Sequence, residues 1–253
     1  MTMHAFLTNR FRLSSLVLAL SLLASACGSG HADPDPAPAQ PGPTTAVFEV
    51  TLVNLTAGQP FSPLLVIAHT DAFSLFKEGE AASVALENIA EAGNTAPLAA
   101  LIGDAKSVIA SATGPAAGPG KATTVSLAVP LAAIVTTRLS FAVMLGNTND
   151  GFTGLSGESL ASIPVAGSRS VDLIGYDAGT EGNTESADTV PGPATAGSGA
   201  RREAFSALRD DTVGTVHVHP GIASKDDGLP TSALTVAQRW DNPLARLTIR
   251  RTQ

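Results

Sequence analysis

Residues 46–55 read AVFEVTLVNL, and this stretch decides the fold class. Phe48, Val50 and Leu52 alternate with Glu49, Thr51 and Val53, and the β-branched residues suit a half-buried strand better than a helix. The same two-residue period returns in 123–129, where Val125, Leu127 and Val129 alternate with Thr124, Ser126 and Ala128. It returns again in 139–145, which sets Leu139, Phe141, Val143 and Leu145 on one face. Shorter apolar runs at 64–68, 171–176, 213–218 and 245–249 complete a set of short strands punctuated by Gly, Pro, Asn and Asp. Such spacing predicts an all-β, antiparallel β-sandwich or barrel. One segment departs from it. Residues 82–91, ASVALENIAE, are good helix formers with Leu86 and Ile89 at helical spacing, and Gly93 is a natural stop. Residues 103–120, rich in small residues and ending in GPAAGPG, read as a long loop, and 181–204 as a second loose stretch.

The composition agrees. With 24 Gly and 17 Pro among 253 residues, the chain is too punctuated for a helical bundle, and at 44% hydrophobic it is too apolar for wholesale disorder. A net charge of −7 argues against nucleic acid, whose binding needs a clustered basic surface. A lone cysteine forbids an internal disulfide.

That cysteine has another use. Arg10 and Arg12 precede an apolar run, Leu13–Leu23, and then Leu23-Ala24-Ser25-Ala26-Cys27. Basic residues, a short apolar stretch and small residues before a cysteine have the form of a bacterial lipoprotein signal. The expectation is cleavage of residues 1–26, lipidation of Cys27 and retention in the cell envelope. Gly28 rather than Asp after the cysteine resembles the signal for the outer membrane. Residues 27–45 then form a Pro-rich tether that cannot bury a core, and 46–253 form the folded domain. The mature chain keeps 13 basic against 22 acidic residues, a balance of −9 that favours cationic ligands.

Two loops concentrate the chemistry. Asn147-Thr148-Asn149-Asp150-Gly151 follows the 139–145 strand, and its oxygen-bearing side chains suit either a hairpin turn or a hard cation. Asp177-Ala178-Gly179-Thr180-Glu181 follows the 171–176 strand, and its small central residues let two carboxylates fold back toward one point. Paired carboxylates also serve glycosidases. A sugar cleft wants aromatic side chains, however, and Tyr176 and Trp240 are the only Tyr and Trp in the chain. His217 and His219 would share one face of a strand. They are read as hydrogen-bonding residues, as is His69, with a zinc- or copper-dependent metalloenzyme built on these three as the alternative. No nucleophile elbow, phosphate loop or zinc signature is present, and the chain is read as non-catalytic.

The order and spacing of these segments resemble the spondin domain. The elements are FEVTLVNLTAGQPFSPLLVIAH at 48–69, TNDGF at 148–152, DAGTE at 177–181, NTE at 183–185 and VGTVHVHPGI at 213–222. The resemblance implies a β-sandwich like a C2 domain, with calcium held by aspartates in loops at one end, and a role in extracellular adhesion. Asp150 stands in the aspartate place of the family's proline-aspartate-tryptophan turn. Asp177 opens the counterpart of its DAGTD loop, and Glu181 replaces that loop's last aspartate with one methylene more. By this resemblance Asp150, Asp177 and Glu181 are the expected calcium ligands. The partner would be matrix polymer, polysaccharide or another envelope protein.

Overall fold

The computed structural model describes residues 42–196 and 204–253. The signal segment, Cys27 and the tether up to Pro41 lie outside the described residues. Among these residues no helix is long and apolar enough to cross a membrane.

Strands β1 (Thr45–Asn54), β2 (Leu64–His69), β3 (Val108–Gly114), β4 (Ala122–Pro130) and β5 (Arg138–Met144) are followed by β6 (Gly151–Ser159), β7 (Ser168–Leu173), β8 (Gly175–Asp177), β9 (His217–Val218) and β10 (Ala245–Arg251). They form two antiparallel sheets, as the alternation predicted: a four-stranded sheet ordered β4-β1-β10-β7 and a six-stranded one ordered β3-β2-β5-β6-β8-β9. In the four-stranded sheet β1 and β4 alternate at every residue. In β4, Thr123, Val125, Leu127 and Val129 are buried and the residues between them are exposed.

The six-stranded sheet is covered on both faces along β2 and β5. All six residues of β2 are buried. Leu64, Val66 and Ala68 join Phe48, Leu127, Phe141, Val143 and Leu247 in the core between the sheets. Leu65 and Ile67 point the other way, into a second cluster with Ala142, Phe152, Leu86 and Ile89. The cover on that side is helix α1 (Val84–Ala92), the helix the sequence predicted. Ser83 caps its start by accepting from the Leu86 amide at 3.2 Å, and Gly93, at φ 63°, ends it in the left-handed region that glycine tolerates.

The structure corrects the sequence reading in four places. Residues 103–120 are no simple loop: a second helix, α2 (Ala96–Gly103), precedes them, and they contain edge strand β3. After Val108 and Ile109 the residues of β3 are small, and none of the strand is fully buried, so the segment carries no apolar alternation. The expected strand 171–176 is two strands, β7 in the four-stranded sheet and β8 in the six-stranded sheet, so the chain crosses between layers at Ile174. Of 213–218 only His217–Val218 pairs as strand. Residues beyond the Asn149-Asp150 turn continue into β6, which pairs with β5 as a hairpin.

Candidate metal centre

The β5–β6 turn is a rigid scaffold. Asn147 is held by three contacts: its amide donates to Gln59 Oε1 at 2.9 Å, its side-chain nitrogen to the Gly58 carbonyl at 2.7 Å, and its Oδ1 accepts from the Ala194 amide at 2.9 Å. Asn149 Oδ1 accepts from the Glu185 amide at 3.0 Å, and its nitrogen donates to Thr189 Oγ1 at 2.8 Å. These side chains clamp loops together and leave no oxygen aimed at an ion.

Asp150 is different. It is wholly buried, and register pairs its neighbour Gly151 with Asp177 across β6 and β8. Its Oδ2 accepts from the Thr180 amide at 2.7 Å, the Thr180 hydroxyl at 3.1 Å and the Glu181 amide at 3.1 Å. Its Oδ1 is buried with no hydrogen-bond partner. Burial, and then the adjacent Asp177 charge, push the Asp150 carboxyl up to about 7, while the Thr180 and Glu181 donors pull the other way.

Asp177 is also wholly buried. Its Oδ1 accepts from the Gly179 amide at 2.8 Å and its Oδ2 from Asn183 Nδ2 at 2.6 Å. Gly179, at φ 69°, makes this turn, and a Cβ there would fall 2.5 Å from the Thr215 backbone. The close approach sets the 177–181 loop against the strand that carries the histidines.

Glu181 contributes its amide to Asp150 and lines a cavity of about 110 Å³ with Asn149, Thr184, Ser206, Leu208 and Asp210. The two predicted loops therefore meet at one end of the six-stranded sheet. Their three carboxylates do not bring one oxygen each within 4.8 Å of the other two; among the described residues the group that meets this distance is Asp177, Asp211 and His217.

His217 lies opposite Asp177 in the β8–β9 pairing, its Nε2 3.8 Å from Asp177 Oδ2. Its Nδ1 faces the Thr215 carbonyl at 2.8 Å. His219 is buried at 5% exposure. Its Nδ1 accepts from the Gly221 amide at 2.9 Å, so its proton sits on Nε2, which has no partner. A Cβ on Gly151 would lie 3.0 Å from the His219 ring, which places that ring beside the Asp150 turn. Burial pushes His219 down to about 4, against the pull of Asp177 and with the help of His217.

The three-histidine centre does not form. His69 pairs with Arg138, at the end of β5 away from the Asn147 turn, about 20 Å along the strand at some 3.3 Å per residue. Its ring bonds the Thr70 carbonyl at 2.6 Å and Ser140 Oγ at 2.7 Å, the structural role expected of it.

The sequence reading missed Asp211. Five residues of irregular chain separate it from His217, and no spacing rule links the two. Arg209 fixes that segment by donating to Glu87 of α1 at 2.7 and 2.9 Å and to the Ala82 carbonyl at 2.9 Å.

Comparison with known proteins agrees with this architecture. The protein family Spondin_N matches residues 54–197, more than half of the chain, and spans both the 148–152 turn and the 177–181 loop. No curated protein matches it. An antiparallel sandwich with the expected turn and loop meeting at one end, together with that match, makes the chain a member of the Spondin_N family.

Proposed function

We propose that this protein is a non-catalytic adhesion or ligand-binding module of the cell envelope, stabilised by calcium at the acidic end of its sandwich. The observation that carries the reading is the wholly buried Asp150 Oδ1, without a partner and beside the equally buried Asp177. Two carboxylates this close repel unless one is protonated or a cation lies between them. Calcium takes oxygen ligands only and tolerates irregular geometry, so it suits a turn and a loop that supply carboxylates and carbonyls. Asp150 and Asp177 would form the heart of the site, with Glu181 drawn in from the adjoining loop. The bound ion would tie the two loops into a fixed surface for a matrix polymer, a polysaccharide or another envelope protein.

Cys27 would supply the outer-membrane anchor through its acyl chains, several of which hold where one does not. The Pro-rich tether would space the domain from the lipid. A Cys27→Ser variant should leave the membrane fraction; one that stays there removes the anchor from this reading.

The cation is tested by thermal melting of the chelator-treated protein. Calcium at about a hundredfold above its Kd should raise Tm by roughly 5–10 °C. The double variant Asp150→Asn/Asp177→Asn should lose that rise. A melting curve indifferent to calcium in the parent protein overturns the reading.

A further inference from the structure

We infer that Asp177, Asp211 and His217 form a second metal site, built for a divalent ion of the zinc class rather than for calcium. One ligand atom from each lies within 4.8 Å of the other two. A single ion at about 2.0–2.2 Å from each nitrogen or oxygen would draw the three atoms inside that spacing.

The histidine decides the metal. Its Nδ1 lies 2.8 Å from the Thr215 carbonyl, which can only accept, so Nδ1 carries the proton. With Nδ1 so occupied, Nε2 is the ring's remaining ligand atom, and it faces Asp177 Oδ2, 3.8 Å away. A metal ion placed between that nitrogen and the carboxylate would bind both. An imidazole paired to a backbone carbonyl through its second nitrogen is the usual support of a metal-bound histidine. Calcium takes oxygen ligands, whereas zinc and its first-row neighbours accept imidazole together with carboxylate.

The carboxylates are prepared as well. Asp177 is oriented by the Gly179 amide and by Asn183. Asp211 Oδ2 accepts from the Gly214 amide at 3.3 Å, and its chain is braced by Arg209 on α1 and by Asp210, which accepts from the Gly182 amide at 2.8 Å.

A second observation points to the same place. His219, two residues beyond His217 and bonded through its amide to the Gly175 carbonyl at 3.0 Å, is 95% buried, with its Nε2–H left without an acceptor. Water or hydroxide completing the shell of an ion at Asp177 and His217 would give that donor its partner. Asp211 and His217 are only partly buried, so the remaining coordination position opens to solvent.

Zinc added to the chelator-treated full chain should bind at one equivalent and raise Tm. Cobalt in its place should give visible absorption bands of a four- or five-coordinate ion. His217→Ala and Asp211→Asn should each weaken zinc by at least about tenfold and leave any calcium response intact, while Asp150→Asn should retain zinc. In the parent protein, cobalt should shift the exchangeable Nδ1 proton of His217 strongly, a readout that needs no variant. The inference is overturned if cobalt stays spectroscopically octahedral and free, if His217→Ala binds zinc like the parent, or if the Nδ1 proton does not move. Loss of the calcium response alone, with zinc retained, overturns the calcium reading and leaves this one standing.

Discussion

The two sheets solve the same burial problem differently. The four-stranded sheet turns one face to the core and the other to water, and β4 shows it residue by residue, with Val125, Leu127 and Val129 in and Ser126 and Ala128 out. The six-stranded sheet has no wet face along β2, because α1 and its loops cover the side away from the core. Double burial requires apolar residues at every position of a strand, and wherever a polar group appears there it must be matched. The candidate metal centre sits at the end of this second sheet. There Asp150 and Asp177 are wholly buried between strands and loops.

The sharpest way to break the comparison is to shorten an outward-facing residue in each sheet. Ile67→Ala should cost about 2–5 kcal/mol, because Ile67 is wholly buried against the helix side. Ser126→Ala, on the outer face of β4, should change stability by less than about 0.5 kcal/mol. Denaturant melts of the two variants decide it, and similar costs would mean that the helix layer contributes nothing to the fold.

Removing the brace on that layer should have a middling effect. Arg209→Ala leaves Glu87 buried at 3% exposure without its guanidinium, a loss of about 1–3 kcal/mol. It also frees the segment bearing Asp211, so zinc affinity should drop along with stability. Unchanged zinc binding in this variant would show that Asp211 is held by other contacts.

The smallest effect is a pH dependence at the opposite end of β5. Burial, with help from the Arg138 charge, holds His69 below its ordinary value of 6.5, the Thr70 carbonyl pulling the other way. Below pH 6.5 the unfolded chain therefore binds the proton more readily than the folded one, and stability falls as pH drops from 6.5 toward the folded value. The Tm difference between the parent protein and His69→Gln should shrink over that range. A difference that stays constant from pH 7.5 to 5.5 would show that His69 does not titrate with folding.

This contrast also explains what could be read from the sequence. Alternation is plainest where one face is wet, as in β1 and β4 at 46–55 and 123–129, and β5, buried on both faces, shows it only because its larger residues Leu139, Phe141 and Val143 share one side. Helix α1 was equally legible, since Ser83 and Gly93 bracket it chemically. Strand β3 was not, because an edge strand of small residues buries too little to leave a pattern. The switch of sheets at Ile174 was hidden inside one apolar run, 171–176, which looks the same whichever partner each half chooses. At the site, Asp150 and Asp177 were found because each follows a strand and a turn residue marks it. Asp211 was not, since its place depends on Arg209 reaching back to Glu87, a contact across more than a hundred residues that no local signal announces.

Strand β1 lies between β4 and β10, so the first strand of the sandwich is completed by the last. Val47 donates its amide to the Gln253 carbonyl at 3.2 Å, and the Thr252 amide returns a bond to the Val47 carbonyl at 2.8 Å. A chain threaded outward from its N-terminus therefore carries β1 as an open edge until almost every later residue has emerged. Pairings this distant in sequence form slowly, and until they form β1 offers an unpaired edge to any neighbouring chain. Nicking the chain after Asn242 would therefore reopen the middle of a sheet rather than trim an end.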